Sequence, residues 1–125
     1  MTENEISYLI RGCIFEVYNH LGPGLLESVY LNALCVEFEL KGIQYRKEMG
    51  LLVFYKGRKL DLGFRVDLFV ESKVIIEVKS LENILDRHHL IVLNYVRLLK
   101  MKLGILVNFN TLEIEKSIFR KVNNL

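Results

Sequence analysis

From Leu60 to Val70 every even position is apolar: Leu60, Leu62, Phe64, Val66, Leu68 and Val70. Lys59, Asp61, Arg65 and Asp67 fall on the odd positions between them. A period of two is the pattern of a half-buried strand. After the break Glu71-Ser72-Lys73 the alternation resumes, with Val74, Ile76 and Val78 set against Ile75, Glu77 and Lys79. A connection of three residues is hairpin length. With Ser72 at the centre of the turn, Val70 faces Val74, Val66 faces Val78, and Asp67 faces Glu77. Residues directly opposite share a face of the sheet. Lys79 lies two residues past Glu77 and falls on that face too. The stretch Lys59–Ser80 therefore predicts two carboxylates and an amine clustered on rigid backbone, with Phe69 and Ile75 beside them.

Such a cluster has two uses. Two carboxylates at cross-strand distance repel, and a divalent cation relieves the repulsion. Mg²⁺ prefers oxygen ligands and is commonly held by one or two carboxylates while keeping several waters. A bound metal acidifies water and polarises a phosphoryl oxygen, and a neighbouring ammonium stabilises the charge that develops. The alternative is a solvent-facing surface with an Asp67–Lys79 or Glu77–Lys79 ion pair, contributing at most about 1 kcal/mol.

The chain has 125 residues, which is the size of a single domain spanning 1–125. Half-hydrophobic composition with a single proline is that of a folded chain, not a disordered one. The net charge of +2 announces no strong basic field for nucleic acid. Met1–Ile10 lacks the basic region and long apolar run of a secretory signal, and no apolar run reaches membrane-spanning length. Cys13 and Cys35 have no CxxC spacing and read as reduced thiols. The expected compartment is the cytoplasm.

Ile6, Leu9, Ile10, Cys13, Ile14 and Val17 recur at helical spacing and predict an amphipathic helix over 3–19. His20-Leu21-Gly22-Pro23-Gly24 ends it. A second helix is expected over 25–41, closed by Gly42, with Leu26, Val29, Tyr30, Ala33, Leu34 and Phe38 as its apolar stripe. Residues 43–55 read as a strand, least regular around Lys47-Glu48-Met49-Gly50, and Lys56-Gly57-Arg58 as a turn. Arg46, Lys47, Lys56, Arg58 and Lys59 are either solvated or in contact with phosphate. A third helix is expected over 86–101, then a buried strand over 103–109 and a final strand alternating Leu112, Ile114 and Ile118. Helices before and after core strands fit an α/β fold, a mixed central sheet flanked by helices.

The hairpin, with Asp67 followed by Glu77-Val78-Lys79, resembles the active-site hairpin of the PD-(D/E)XK nuclease superfamily. Val66 stands where a proline often precedes the Asp. Gly24-Leu25-Leu26-Glu27-Ser28-Val29-Tyr30 resembles the motif that names the GxxExxY family, a branch of that superfamily. The two motifs together extend the resemblance over roughly 10–110. It implies a restriction-endonuclease-like core and a Mg²⁺-dependent nuclease, with Mn²⁺ the alternative ion and nucleic acid, most often DNA, the partner. The first helix and the last strand would be decoration or part of a homodimer surface.

On that resemblance, Asp67, Glu77 and the Val78 carbonyl hold the metal and Lys79 works on the attacking water. Glu27 is an outer metal ligand or water partner, against its alternative role at the positive end of its own helix. His88 and Tyr95 match family positions that touch substrate or support the site, while Ile91 replaces a Gln expected four residues before the Tyr. Ile cannot donate the hydrogen bond a Gln would. That departure keeps open a non-catalytic nucleic-acid-binding or structural module with the same fold.

Overall fold

Thr2 opens the first helix by a reciprocal cap: Glu5 N donates to the Thr2 hydroxyl at 3.2 Å and Thr2 N donates to Glu5 Oε1 at 3.3 Å. In this computed structural model, which describes residues 1–61 and 63–125, helix α1 spans Glu3–Leu21 and buries Ile6, Ile10, Cys13, Ile14 and Val17. Gly22, at φ 67°, stops it. Helix α2 spans Glu27–Leu40 and buries Tyr30, Leu31, Leu34, Cys35 and Phe38. Its stripe is rotated from the expected one, since Leu26 and Val29 are exposed. The helix starts two residues later than the spacing suggested, so Leu26 is its N-cap and not part of a turn.

The strands are β1 (Tyr45–Gly50), β2 (Phe54–Tyr55), β3 (Arg58–Lys59), β4 (Arg65–Val70), β5 (Val74–Lys79), β6 (Leu103–Asn108) and β7 (Ile118–Val122). Helix α3 (Asp86–Leu98) connects β5 to β6. Five strands form one sheet in the order β1-β4-β5-β6-β7, and β2 and β3 form a separate pair. Among the described residues only β5 and β6 run parallel, as a crossover through a helix requires. The sheet is therefore mixed, with helices on both faces, the α/β arrangement expected of a restriction-endonuclease-like core.

One face packs Leu68, Val70, Val74, Ile76, Val78, Ile105 and Val107 against α1 and α2. The other packs Ile75 and Leu106 against Val92 and Val96 of α3. Tyr30 and Phe109 stack with ring centroids 4.4 Å apart and planes within 5°. Cys13 and Cys35 are free and buried. Among the described residues no helix is long and apolar enough to cross a membrane.

Four sequence expectations are corrected. The strand expected from Leu60 begins at Arg65: Gly63 adopts φ 63°, and Leu60 and Phe64 are solvent-facing; Leu62, the other apolar position there, lies outside the described residues. The strand expected over 43–55 divides into β1 and β2. Ile114 sits in a one-turn 3-10 helix, Ile114–Lys116, and Leu112 is exposed, so the last strand starts only at Ile118. Helix α1 and strand β7 are not decoration, because α1 contributes five core residues and β7 pairs along β6.

At Gly104 on β6, α3 sits close against the sheet. A Cβ there would lie 2.6 Å from Val96 Cγ2 and 3.0 Å from Val92 Cγ1. Gly104→Ala is expected to destabilise the fold by about 1–3 kcal/mol through overpacking. Urea unfolding checks this, and an unshifted midpoint would mean α3 has slack.

Candidate active site

Strands β4 and β5 pair as Val70↔Val74, Phe69↔Ile75 and Leu68↔Ile76. The register is the one a turn centred on Ser72 requires, with Glu71 and Ser72 both at positive φ (51° and 55°). One step further the backbone ladder gives way to side chains. Asp67 N donates to Glu77 Oε1 at 3.0 Å, and Val78 N donates to Asp67 Oδ2 at 2.8 Å. Across from Asp67 on the other side, Glu48 of β1 sits at φ 55° between the regular pairs Lys47↔Leu68 and Met49↔Val66. The strand alternation breaks at the same place, since Val66 packs with the α3-side core while Leu68 and Val70 pack on the opposite face.

Glu77 is only 7% exposed. Burial, and then the charge of Asp67, push its carboxyl up to about 8. Asp67 is also raised, chiefly by burial; the Val78 N–H and Lys79 oppose this, while Glu27 and Glu48 reinforce it. Lys79 is half-buried and close enough to lower both carboxyls, yet it forms no ion pair within 4 Å among the described residues. The simple ion pair offered as an alternative is thus not formed. Four carboxylates, Asp67, Glu77, Glu27 and Glu48, act on this point with one ammonium beside them.

This donor set suits a hard divalent cation. A carboxylate as buried as Glu77 either holds its proton or meets a cation. One oxygen of each carboxylate is occupied by a backbone N–H, leaving Asp67 Oδ1 and Glu77 Oε2 without a hydrogen-bond donor among the described residues. Among those residues no group of three or more His, Cys, Asp or Glu side chains is placed to hold a metal. Two carboxylates with a backbone carbonyl and water are nonetheless the kind of ligand set Mg²⁺ accepts.

Glu27 is the first residue of α2, and its Oε2 accepts from Ser80 N at 3.4 Å, one residue past Lys79. It therefore bridges its helix to the end of β5. Ser80 Oγ reinforces that junction by donating to Leu25 O at 2.5 Å. Tyr30 closes the same loop from below: its hydroxyl donates to Gly22 O at 2.6 Å and accepts from Leu25 N at 3.1 Å. Gly24, Glu27 and Tyr30 thus act together, a glycine at φ 94° letting the loop turn, a tyrosine latching it, and a glutamate touching the site strand.

Tyr95 of α3 is half-buried, and its hydroxyl is raised by burial and then by the charges of Glu77 and Asp67. His88 stands further out. Its Nδ1 accepts from Leu85 N at 2.9 Å and closes the first turn of α3, and its ring is lowered by burial, Arg87 and Lys79. Ile91 is exposed and brings no polar atom.

Two residues near the site escaped the sequence reading. Glu48 looked like an irregular strand position, and only its positive φ marks it. Asn108 is 5% exposed; Leu81 N donates to its Oδ1 at 2.9 Å and its Nδ2 donates to Leu81 O at 3.0 Å. With Phe109 N donating to Lys79 O at 2.9 Å, it fixes the segment that follows Lys79. Asn108→Ala would leave both backbone groups of Leu81 without partners, an expected loss of about 1–3 kcal/mol per buried group. Chemical denaturation measures it; parent-like stability would show that water replaces the amide.

Residues 4–121 match the model of a family described as the PD-(D/E)XK nuclease superfamily. No curated protein and no solved structure matches the chain.

Proposed function

Because this chain belongs to the PD-(D/E)XK nuclease superfamily, we propose that it is a Mg²⁺-dependent nuclease that hydrolyses phosphodiester bonds in DNA, within the GxxExxY branch. The observation that carries the reading is the pair of buried Glu77 and half-buried Asp67, cross-bonded to backbone N–H groups, with the Lys79 side chain nearby and unpaired among the described residues. Nucleases of this superfamily generally use divalent metals. In this reading Asp67, Glu77 and the Val78 carbonyl hold the ion, whose chemistry is to acidify a water and polarise the phosphoryl group.

The remaining work belongs to side chains of the protein. Lys79 directs its ammonium at the attacking water and at the charge that grows on the phosphoryl oxygens. Glu27, tied to Ser80, orients water at the rim of the site. Tyr95 supports the carboxylates from α3. The free Nε2 of His88 reaches the phosphate backbone, since Nδ1 is committed to the helix end.

A second reading, a non-catalytic nucleic-acid-binding module, is favoured by Ile91, an exposed apolar residue where the branch expects a hydrogen-bonding Gln. A panel of single-stranded, duplex, branched and RNA substrates with Mg²⁺ or Mn²⁺ separates the two. Cleavage that disappears in Asp67→Asn supports the nuclease. No cleavage of any substrate by the parent supports the module.

A further inference from the structure

Strands β1 and β4 do not part company at their far ends. Leu51 N donates to Phe64 O at 3.1 Å and Leu60 N to Val53 O at 2.9 Å. Beyond these, Phe54 pairs with Lys59 and Tyr55 with Arg58. The result is a two-stranded arm that continues β1 and β4 past Asp67. It turns through Lys56 and Gly57 at φ 50° and 77°, both in the left-handed region that a two-residue hairpin turn demands. Val53 is buried and anchors the arm.

The rest of the arm is hard to explain as structure for its own sake. Phe54 is 60% exposed and Tyr55 61%, and the fold leaves both rings in water. Residues directly opposite share a face, and neighbours along a strand point to opposite faces. One face of the arm therefore sets Phe54 against Lys59, and the other sets Tyr55 against Arg58. Lys56 Nζ lies 5.4 Å from the centroid of the Tyr55 ring. None of these three cations is in an ion pair among the described residues.

Each face thus offers an aromatic platform beside a positive charge. Protein interfaces deplete lysine and other charges at their apolar cores. Surfaces that bind single-stranded nucleic acid do the reverse: bases stack on aromatic rings while cations follow the phosphates. An intact duplex hides the base faces that such rings need. We propose that this arm binds a single-stranded segment of nucleic acid, with bases on Phe54 and Tyr55 and phosphates on Lys56, Arg58 and Lys59. The proposal rests on the nuclease reading only for the idea that the bound strand is the substrate. The chain from Lys59 to Asp67 spans at most about 28 Å even when fully extended, so one strand can lie on the arm and reach the carboxylates.

The chain contains no tryptophan, so Tyr55→Trp supplies a single reporter at the arm. Titrate it with oligo(dT), and separately with a blunt duplex, in EDTA so that nothing is cut. Quenching by the single strand at concentrations where the duplex has little effect is the expected result. Phe54→Ala combined with Tyr55→Ala is expected to weaken oligo(dT) binding roughly tenfold or more, with the melting temperature and Mn²⁺ affinity unchanged. Lys59→Gln is expected to make the salt dependence of binding shallower.

Unquenched tryptophan, equal oligo(dT) affinity in parent and double variant, or a parent that binds only duplex overturns the arm. A parent that cuts DNA as well as its arm variants do rejects the arm and keeps the nuclease. A parent that holds oligo(dT) through the arm but never cuts rejects the nuclease and keeps the arm.

Discussion

Lys79→Ala is expected to slow cleavage of labelled DNA about a hundredfold or more, with Mn²⁺ affinity essentially unchanged. An ammonium has no lone pair for a metal, so its removal takes nothing from the ligand set. Its proposed effect falls on the transition state, where charge develops, and therefore on turnover. Structural damage is a weak competing explanation, because the Lys79 side chain has no hydrogen-bond or ion-pair partner among the described residues to lose, and its backbone bond to Phe109 N survives the substitution. Cleavage and Mn²⁺ binding should be measured on the same preparations. Equal rates for variant and parent would remove Lys79 from the mechanism. A joint fall in rate and metal affinity would mean that its charge shapes the carboxylate pair instead.

Glu77→Gln carries the second large effect, and pH gives its sign. The Glu77 carboxyl is raised from 4.5 to about 8 in the folded chain. A raised carboxyl favours the folded state in its protonated form. That contribution is fully present below pH 4.5 and is lost as pH climbs through about 8. The parent should therefore lose on the order of a few kcal/mol across that window. Gln keeps the shape and carries no charge, so the variant should lose less stability than the parent over that window, with half-buried Asp67 still contributing, and it should melt higher than the parent at pH 8.5. Mg²⁺ or Mn²⁺ should restore stability at that pH to the parent and not to the variant. Melting curves across the range, with and without metal, decide it: a parent as stable at pH 8.5 as at pH 5 would show that Glu77 ionises without cost.

Local patterns carried far in this chain. The stripe from Ile6 to Val17 and the turn around Ser72 depend on neighbours a few residues away, and the structure follows them closely. The meeting of Asp67 with Glu77 lies one step past the ladder that this turn sets, which ends at Leu68↔Ile76, and it is made through side chains. Val66 does not face Val78 as the count from the turn expects, since the two pack on opposite faces. What escaped prediction depends on distant partners. The alternation at Leu60 and Phe64 looks identical to that of β4, but nothing packs on it once Gly63 redirects the chain. Asn108 carries the composition of a turn, and its burial comes from Leu81 on another element. The closeness of α3 at Gly104 involves side chains on two elements that no periodicity links. Local spacing also missed the role of Tyr30, where the family motif marked a residue whose hydroxyl fastens the Gly22–Leu25 loop.

The seam between β4 and β5 has a spectroscopic consequence. The amides of Asp67 and Val78 donate to carboxylate oxygens. An amide exchanges its hydrogen with solvent only when its bond opens, and a carboxylate is the stronger acceptor when ionised. Protection at these two amides should then rise and fall with the charge on the carboxylates, while that of Phe69 and Ile76, deeper in the sheet, stays constant. Site-resolved deuterium exchange would read the ionisation state of the site directly, with no substrate present.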